Sequence, residues 1–138
     1  LAKELELPVI VHSRDAAQDT FEILRDYDGA MFGGVLHSYS GSVEMARQYV
    51  EMGFYLGIGG MVTFTNAKKT AAVVAEIPLE HLLIETDCPY LAPVPVRGQR
   101  NDSRNLCYIA EKIAQIKGIS SEEVARVTAE NARKLFRL

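Results

Sequence analysis

Four short β-rich apolar runs, PVIVH (8–12), GGVLH (33–37), FYLGIG (54–59) and HLLIET (81–86), are separated by longer amphipathic stretches. Parallel neighbours in a sheet cannot be joined by a hairpin and need a crossover, usually a helix. The alternation therefore predicts βαβ units: four parallel strands with flanking helices, an α/β fold. Apolar residues at near-helical spacing place helices over Asp15 to Tyr27, through Ala16, Phe21, Ile23 and Leu24, and over Ser42 to Met52, through Val43, Met45, Ala46, Tyr49 and Val50. Ser40, Gly41 and Ser42 supply a capping start for the second helix and Gly53 a stop, while Asn66 is expected to cap a weaker third helix, Ala67 to Ala75. After the fourth run, Pro89, Pro93 and Pro95 forbid regular structure across a long loop. Helices then follow near Arg104–Lys117 and over Ser121–Leu135, the last opened by the capping sequence SSEE (120–123).

With 48% apolar residues in 138, the chain has material for one compact core, so a single domain over 1–138 is expected. A net charge of −3 argues against holding nucleic acid through a broad basic face, and leaves local cationic groups or bound metal as the means of meeting phosphates. No apolar run is long enough to span a bilayer, and LAKELELPVI lacks the basic start and cleavage pattern of a secretory signal. The expected protein is soluble and cytoplasmic, and its two cysteines, Cys88 and Cys107, are expected to be free thiols.

Parallel α/β folds carry functional residues at the carboxyl ends of their strands. His12 ends the first run, His37 the second, and Asp87 follows the fourth. Imidazole nitrogen with carboxylate oxygen suits a divalent ion, Zn or Mn, and more oxygen-rich sets suit Mg. Each residue also has a plainer reading, the histidines as hydrogen-bonded surface groups and Asp87 as the start of a turn; their recurrence at equivalent positions favours a site. Glu85 shares parity with Leu83 and Asp87, which puts it one layer below Asp87 as a candidate supporting group for the ligands. A carboxylate flanked by Leu83, Ile84 and Thr86 is costly to bury unless it has a partner. His81 precedes its strand at the opposite end and is left out of the site.

The segments PVIVHSRDA, GVLHSYSGS, YLGIGG and ETDCPYLAP, the last followed by RGQRN, resemble the TatD family of metal-dependent deoxyribonucleases, and TAENARKLFRL (128–138) resembles that family's terminal helix. The resemblance implies a TIM-type (β/α)8 barrel that hydrolyses DNA phosphodiesters with one or two divalent ions. It further implies His12, His37 and Asp87 as metal ligands, with Asp87 also the base for the attacking water. The family's His-x-His pair on its first strand and its bridging Glu have no counterpart here, so the expected fold is the C-terminal half of the barrel. LAKELELP is expected to be the end of a helix leading into the fifth strand. Thr65 stands where a lysine is common, and Asp102-Ser103 where Glu-Pro usually follows Arg-Asn.

With three ligands, the chain alone is expected to bind metal weakly and to cleave little. Arg14, Arg97, Arg100 and Arg104 are candidate phosphate contacts, or solvated surface charge. Two further function classes stay open: a metal-dependent hydrolase of a non-nucleic ester or amide, and a non-catalytic remnant with an interaction role. An open half-barrel leaves edge strands and an apolar face that invite a second copy, so self-association is expected.

Overall fold

The computed structural model describes residues 1–26 and 33–138. Its strands are β1 (Val9–Val11), β2 (Gly34–Leu36), β3 (Phe54–Ile58) and β4 (Leu82–Ile84), all parallel and adjacent in the order in which they occur. The crossovers are helices α1 (Ala17–Asp26), α2 (Val43–Glu51) and α3 (Lys68–Glu76), and α4 (Leu106–Lys117) and α5 (Ser121–Phe136) follow β4. The expected architecture is found, with shorter strands, while α3 and α5 each end one residue later than expected. The polar residues at the strand ends, His12, His37 and Asp87, fall just outside the ladders rather than within them. His81 lies in a single turn of 3-10 helix ahead of β4, and Tyr27, the expected end of α1, lies outside the described residues.

The period-2 alternation of the strands sorts their side chains onto two faces. Leu36, Phe54, Leu56, Ile58 and Leu82 face the crossover helices and α4, and bury against Ala46, Tyr49, Val73, Val74, Ile109 and Ile113. Val35, Tyr55 and Leu83 point to the opposite face, where Leu135, Ala132 and Phe136 of α5 pack on them. α5 thus wraps the β4 side of the sheet, its Val124 and Val127 in the first core and its last turn on the second. Asn131 fastens it there: its amide donates to the carbonyls of Leu79 and Leu82 at 2.9 and 2.8 Å. Glu85 N–H bonds back to Ile58, so the Leu82 carbonyl, of opposite parity, faces away from β3. Of the open edge strands and apolar face expected, the β4 edge and part of the inner face are covered by α5. Ile10 of β1 stays 65% exposed on that face.

Helix ends follow the capping rules in three places and depart from them in one. Ser42 Oγ accepts from Met45 N–H at 3.2 Å, and Gly53, at φ 82°, ends α2. Ser120 Oγ accepts from Glu123 N–H at 3.1 Å, while the Glu123 carboxylate turns to Arg126 at 2.7 Å. Asn66 does not cap α3; Ala67 occupies that position without a side-chain bond, because the chain enters the helix from a 3-10 turn (Gly60–Thr63) through an Ala67 N–H to Phe64 carbonyl bond. Residues 2–6 form turns, tied by Leu5 N–H to the Leu1 carbonyl, rather than the end of a regular helix. Among the described residues, no helix is long and apolar enough to cross a membrane.

Candidate metal centre

His37 follows β2 and stands between two carboxylates. Its Nδ1 lies 2.9 Å from Glu85 Oε2 and its Nε2 lies 3.0 Å from Asp87 Oδ1. Glu85 also accepts from Ser38 N–H, a backbone donor aimed by a residue in the left-handed region at φ 50°. The carboxylate fits because β3 carries glycine opposite it: a Cβ at Gly57 would come within 2.6 Å of the Glu85 carboxyl carbon. Glu85 therefore sits beneath the His37 ring and not simply one layer below Asp87, as parity alone suggested. Burial disfavours the charged imidazole, yet the Glu85 and Asp87 carboxylates together outweigh it and raise the His37 pKa above the ordinary histidine value.

His12 follows β1 and is exposed, its ring 5.9 Å from that of His37 between centroids. The three residues singled out at strand ends thus converge, and Glu85 joins them. Among the described residues no three His, Cys, Asp or Glu side chains are arranged to hold one ion. His37 has both of its nitrogens on carboxylates. The donor types nonetheless fit a divalent ion, and Asp87 Oδ2 is buried without a hydrogen-bond partner among the described groups. A carboxylate oxygen left so is costly unless a cation or donor reaches it.

The proline-rich loop after Asp87 is docked rather than loose, and carries cis peptide bonds at Cys88–Pro89 and Val94–Pro95. Tyr90 N–H turns back to the Asp87 carbonyl at 2.8 Å. Asn101, 2% exposed, donates from its backbone to the Pro89 carbonyl at 3.0 Å and from its side chain to the Tyr90 carbonyl at 2.8 Å, and accepts from Asn105. Farther along, Val94 N–H bonds Thr63 Oγ1 at 2.9 Å, and the Leu91 carbonyl lies where a Cβ on Gly60 would be, 2.5 Å away.

The four arginines divide. Arg97 lies over the Phe64 ring, 4.2 Å from its centroid. Arg104 is held by Asp102 at 2.7 Å, within its own turn. Arg14 is exposed beside Asp15, and Arg100 is exposed on the loop. Cys88 and Cys107 are free and exposed. Sequence reasoning missed Gly57, Ser38 N–H and Asn101; for the first two the signal is the small residue opposite a half-buried acid and the turn after β2, and for Asn101 a lone polar residue closing a proline-rich run.

A pocket of about 400 Å³ opens beside His37, lined by Ser13, Asp15, Ser38, Tyr39, Ser40 and Ser42 among others. Tyr39 in its wall is kept protonated by burial and donates to the Ser42 carbonyl at 2.8 Å.

The family described as TatD related DNase matches residues 1–137. Across 138 residues the chain is 51% identical to the Bacillus subtilis protein named uncharacterized metal-dependent hydrolase YabD and 44% identical to the Escherichia coli K12 protein named uncharacterized metal-dependent hydrolase YcfH. It covers 54% and 52% of those proteins, and so spans about half the length of the curated relatives it matches. The crystal structure of YJJV, a TatD homologue from Escherichia coli K12, matches with TM-score 0.91 and 33% identity over 99% of this chain and 52% of that one. A TatD family hydrolase from Entamoeba histolytica matches at 0.85 and 25%, over 97% of this chain and 52% of its own. The fold is accordingly half of a TIM-type barrel, as the motif resemblance implied.

Proposed function

The chain belongs to the family of TatD related DNases, and on that premise we propose that it carries one side of a metal-dependent hydrolase site acting on DNA phosphodiesters. The observation that supports this most is Asp87 Oδ2, a buried carboxylate oxygen with no partner among the described residues, beside a histidine whose far nitrogen is already engaged by Glu85.

In this reading His12, His37 and Asp87 hold a divalent ion, Mg, Mn or Zn. Bound there, the ion would supply polarisation of the phosphoryl group and a more acidic water. Glu85 accepts a hydrogen bond from the Nδ1–H of His37, which fixes the tautomer and leaves Nε2 as the nitrogen on the ligand side. Asp87 accepts the proton of the attacking water as the water oxygen bonds to phosphorus and the bond to the leaving nucleotide oxygen breaks. Arg14, Arg97 and Arg100 meet phosphates; Arg97 is pre-set by its stacking on Phe64. Arg104, spent on Asp102, serves the loop instead.

Three protein ligands leave the remaining positions to water, so the 138-residue chain is expected to bind metal weakly and cleave slowly. Mn titration of the chain, with single-stranded oligonucleotide cleavage followed in parallel, is the test. Binding lost in both His37→Asn and Asp87→Asn supports the reading. Binding indifferent to both substitutions, or turnover of carboxylic esters with no cleavage of DNA, overturns it. The exposed Ile10 beside the β1 edge supports association of two copies through the open side of the sheet.

A further inference from the structure

Tyr90 is an aromatic side chain held out into solvent, 74% exposed, on a backbone that does not share its freedom. Its N–H is bonded to the Asp87 carbonyl at 2.8 Å and its carbonyl accepts from Asn101 at 2.8 Å, so both sides of the residue are pinned. Asn101 itself is buried and tied to Asn105, which anchors the clamp to the start of α4. Leu91 and Val94 beside it are also exposed, at 43% and 45%, although the loop between them is seated, with Ala92 and Pro93 buried. An exposed aromatic ring on a mobile tip is unremarkable. One whose backbone is fixed next to a candidate metal-site carboxylate is partly prepared before its ligand arrives, since the backbone share of the ordering cost has already been met in folding.

The chemistry of the neighbourhood narrows the ligand. The same loop carries Arg97 and Arg100, and Arg97 is oriented by its contact with Phe64 at 4.2 Å. A flat apolar face and guanidinium groups on one loop suit a ligand with alternating rings and phosphates. Single-stranded nucleic acid has that pattern, because its unstacked bases offer π faces while its backbone offers anions. We propose that Tyr90 is a stacking platform for an unpaired nucleobase next to the phosphodiester to be cut, held in readiness by Asn101. The inference rests on the nuclease reading above and adds to it the residue that meets an unpaired base. Stacking tolerates any base, so the platform selects single strands over duplex without selecting sequence.

The test is binding of a fluorescein-labelled oligothymidylate to the 138-residue chain in EDTA at low salt, read by anisotropy and compared with an abasic strand of the same length. Tyr90→Ala removes little buried packing, and the clamp uses only backbone atoms of residue 90, which the substitution leaves in place. Affinity for oligothymidylate is expected to fall about tenfold in Tyr90→Ala and to stay within about twofold in Tyr90→Phe. Wild type is expected to bind the abasic strand about as weakly as Tyr90→Ala binds either strand. Wild-type binding that is indifferent to Tyr90→Ala, or equal for the two strands, overturns the platform and leaves the nuclease reading standing. Failure of the wild type to bind either strand overturns the platform and counts against the nuclease reading with it.

Discussion

The Glu85 carboxylate occupies the space that a side chain on Gly57 would fill, its two oxygens within 2.7 Å of where that Cβ would be. The pair links a strand residue with no chemistry of its own to the orientation of His37, because Glu85 is what fixes the ring. Gly57→Ala is therefore expected to push Glu85 off Nδ1 and weaken Mn binding by about 10- to 100-fold, the range typical when a group supporting a metal ligand is lost. Isothermal titration checks this, and Glu85→Gln should weaken binding in the same direction. Unchanged affinity in Gly57→Ala would show that the carboxylate is not what holds His37.

His37 also gives the metal-free chain a pH signature. The flanking carboxylates raise its pKa above 6.5 against the cost of burial. A raised histidine contributes stability that is fully present below the unfolded value and is lost as pH rises through the folded value. Urea unfolding in EDTA should accordingly show the wild type losing stability relative to His37→Asn as pH climbs above about 6.5. Parallel profiles would remove the ion-pair account.

Asn131 makes both of its donor bonds to carbonyls next to β4, at 2.9 and 2.8 Å. Asn131→Ala leaves buried acceptors unpaired and should cost about 2–3 kcal/mol, measured by urea unfolding. Thr128, also buried in α5, bonds only within its own helix, to Val124 at 2.8 Å. Thr128→Val should therefore cost less, and the contrast between the two isolates the attachment of the helix to the sheet.

Ile10 is the test of association. An isoleucine 65% exposed beside an unpaired edge is a contact waiting for a second surface. Sedimentation of the chain should show dimers that Ile10→Lys returns to monomers; a wild type that sediments as a monomer at high concentration would refute the expectation.

The order of elements was legible because crossover length and the period of apolar residues are local properties, and the runs at 9–11, 34–36, 54–58 and 82–84 each sit inside a segment readable by eye. His12, His37 and Asp87 were legible because they interrupt apolar runs at equivalent points. What was not legible depends on contacts between distant segments. Gly57 acquires meaning only when β4 lies next to β3, and Ser38 N–H only when the turn after β2 adopts positive φ. Parity placed Glu85 on the right face but could not foresee that the gap at Gly57 would let it reach His37. Arg97 and Arg104 read alike as cations in a proline-rich stretch, yet one lies on Phe64 and the other folds onto Asp102.

The docked loop has an uneven distribution of constraint. Gly60, Thr63 and Asn101 hold it at Leu91, Val94 and the Pro89–Tyr90 turn, whereas Gly98 lies at φ 86° with nothing within 4 Å of an added Cβ. Residues can be inserted or exchanged beside Gly98 without moving Asp87, so the reach of Arg100 is adjustable while the acid and Arg97, seated on Phe64, are not. A graft at that tip would let what the loop binds drift, or be engineered, independently of the His37–Asp87 pair.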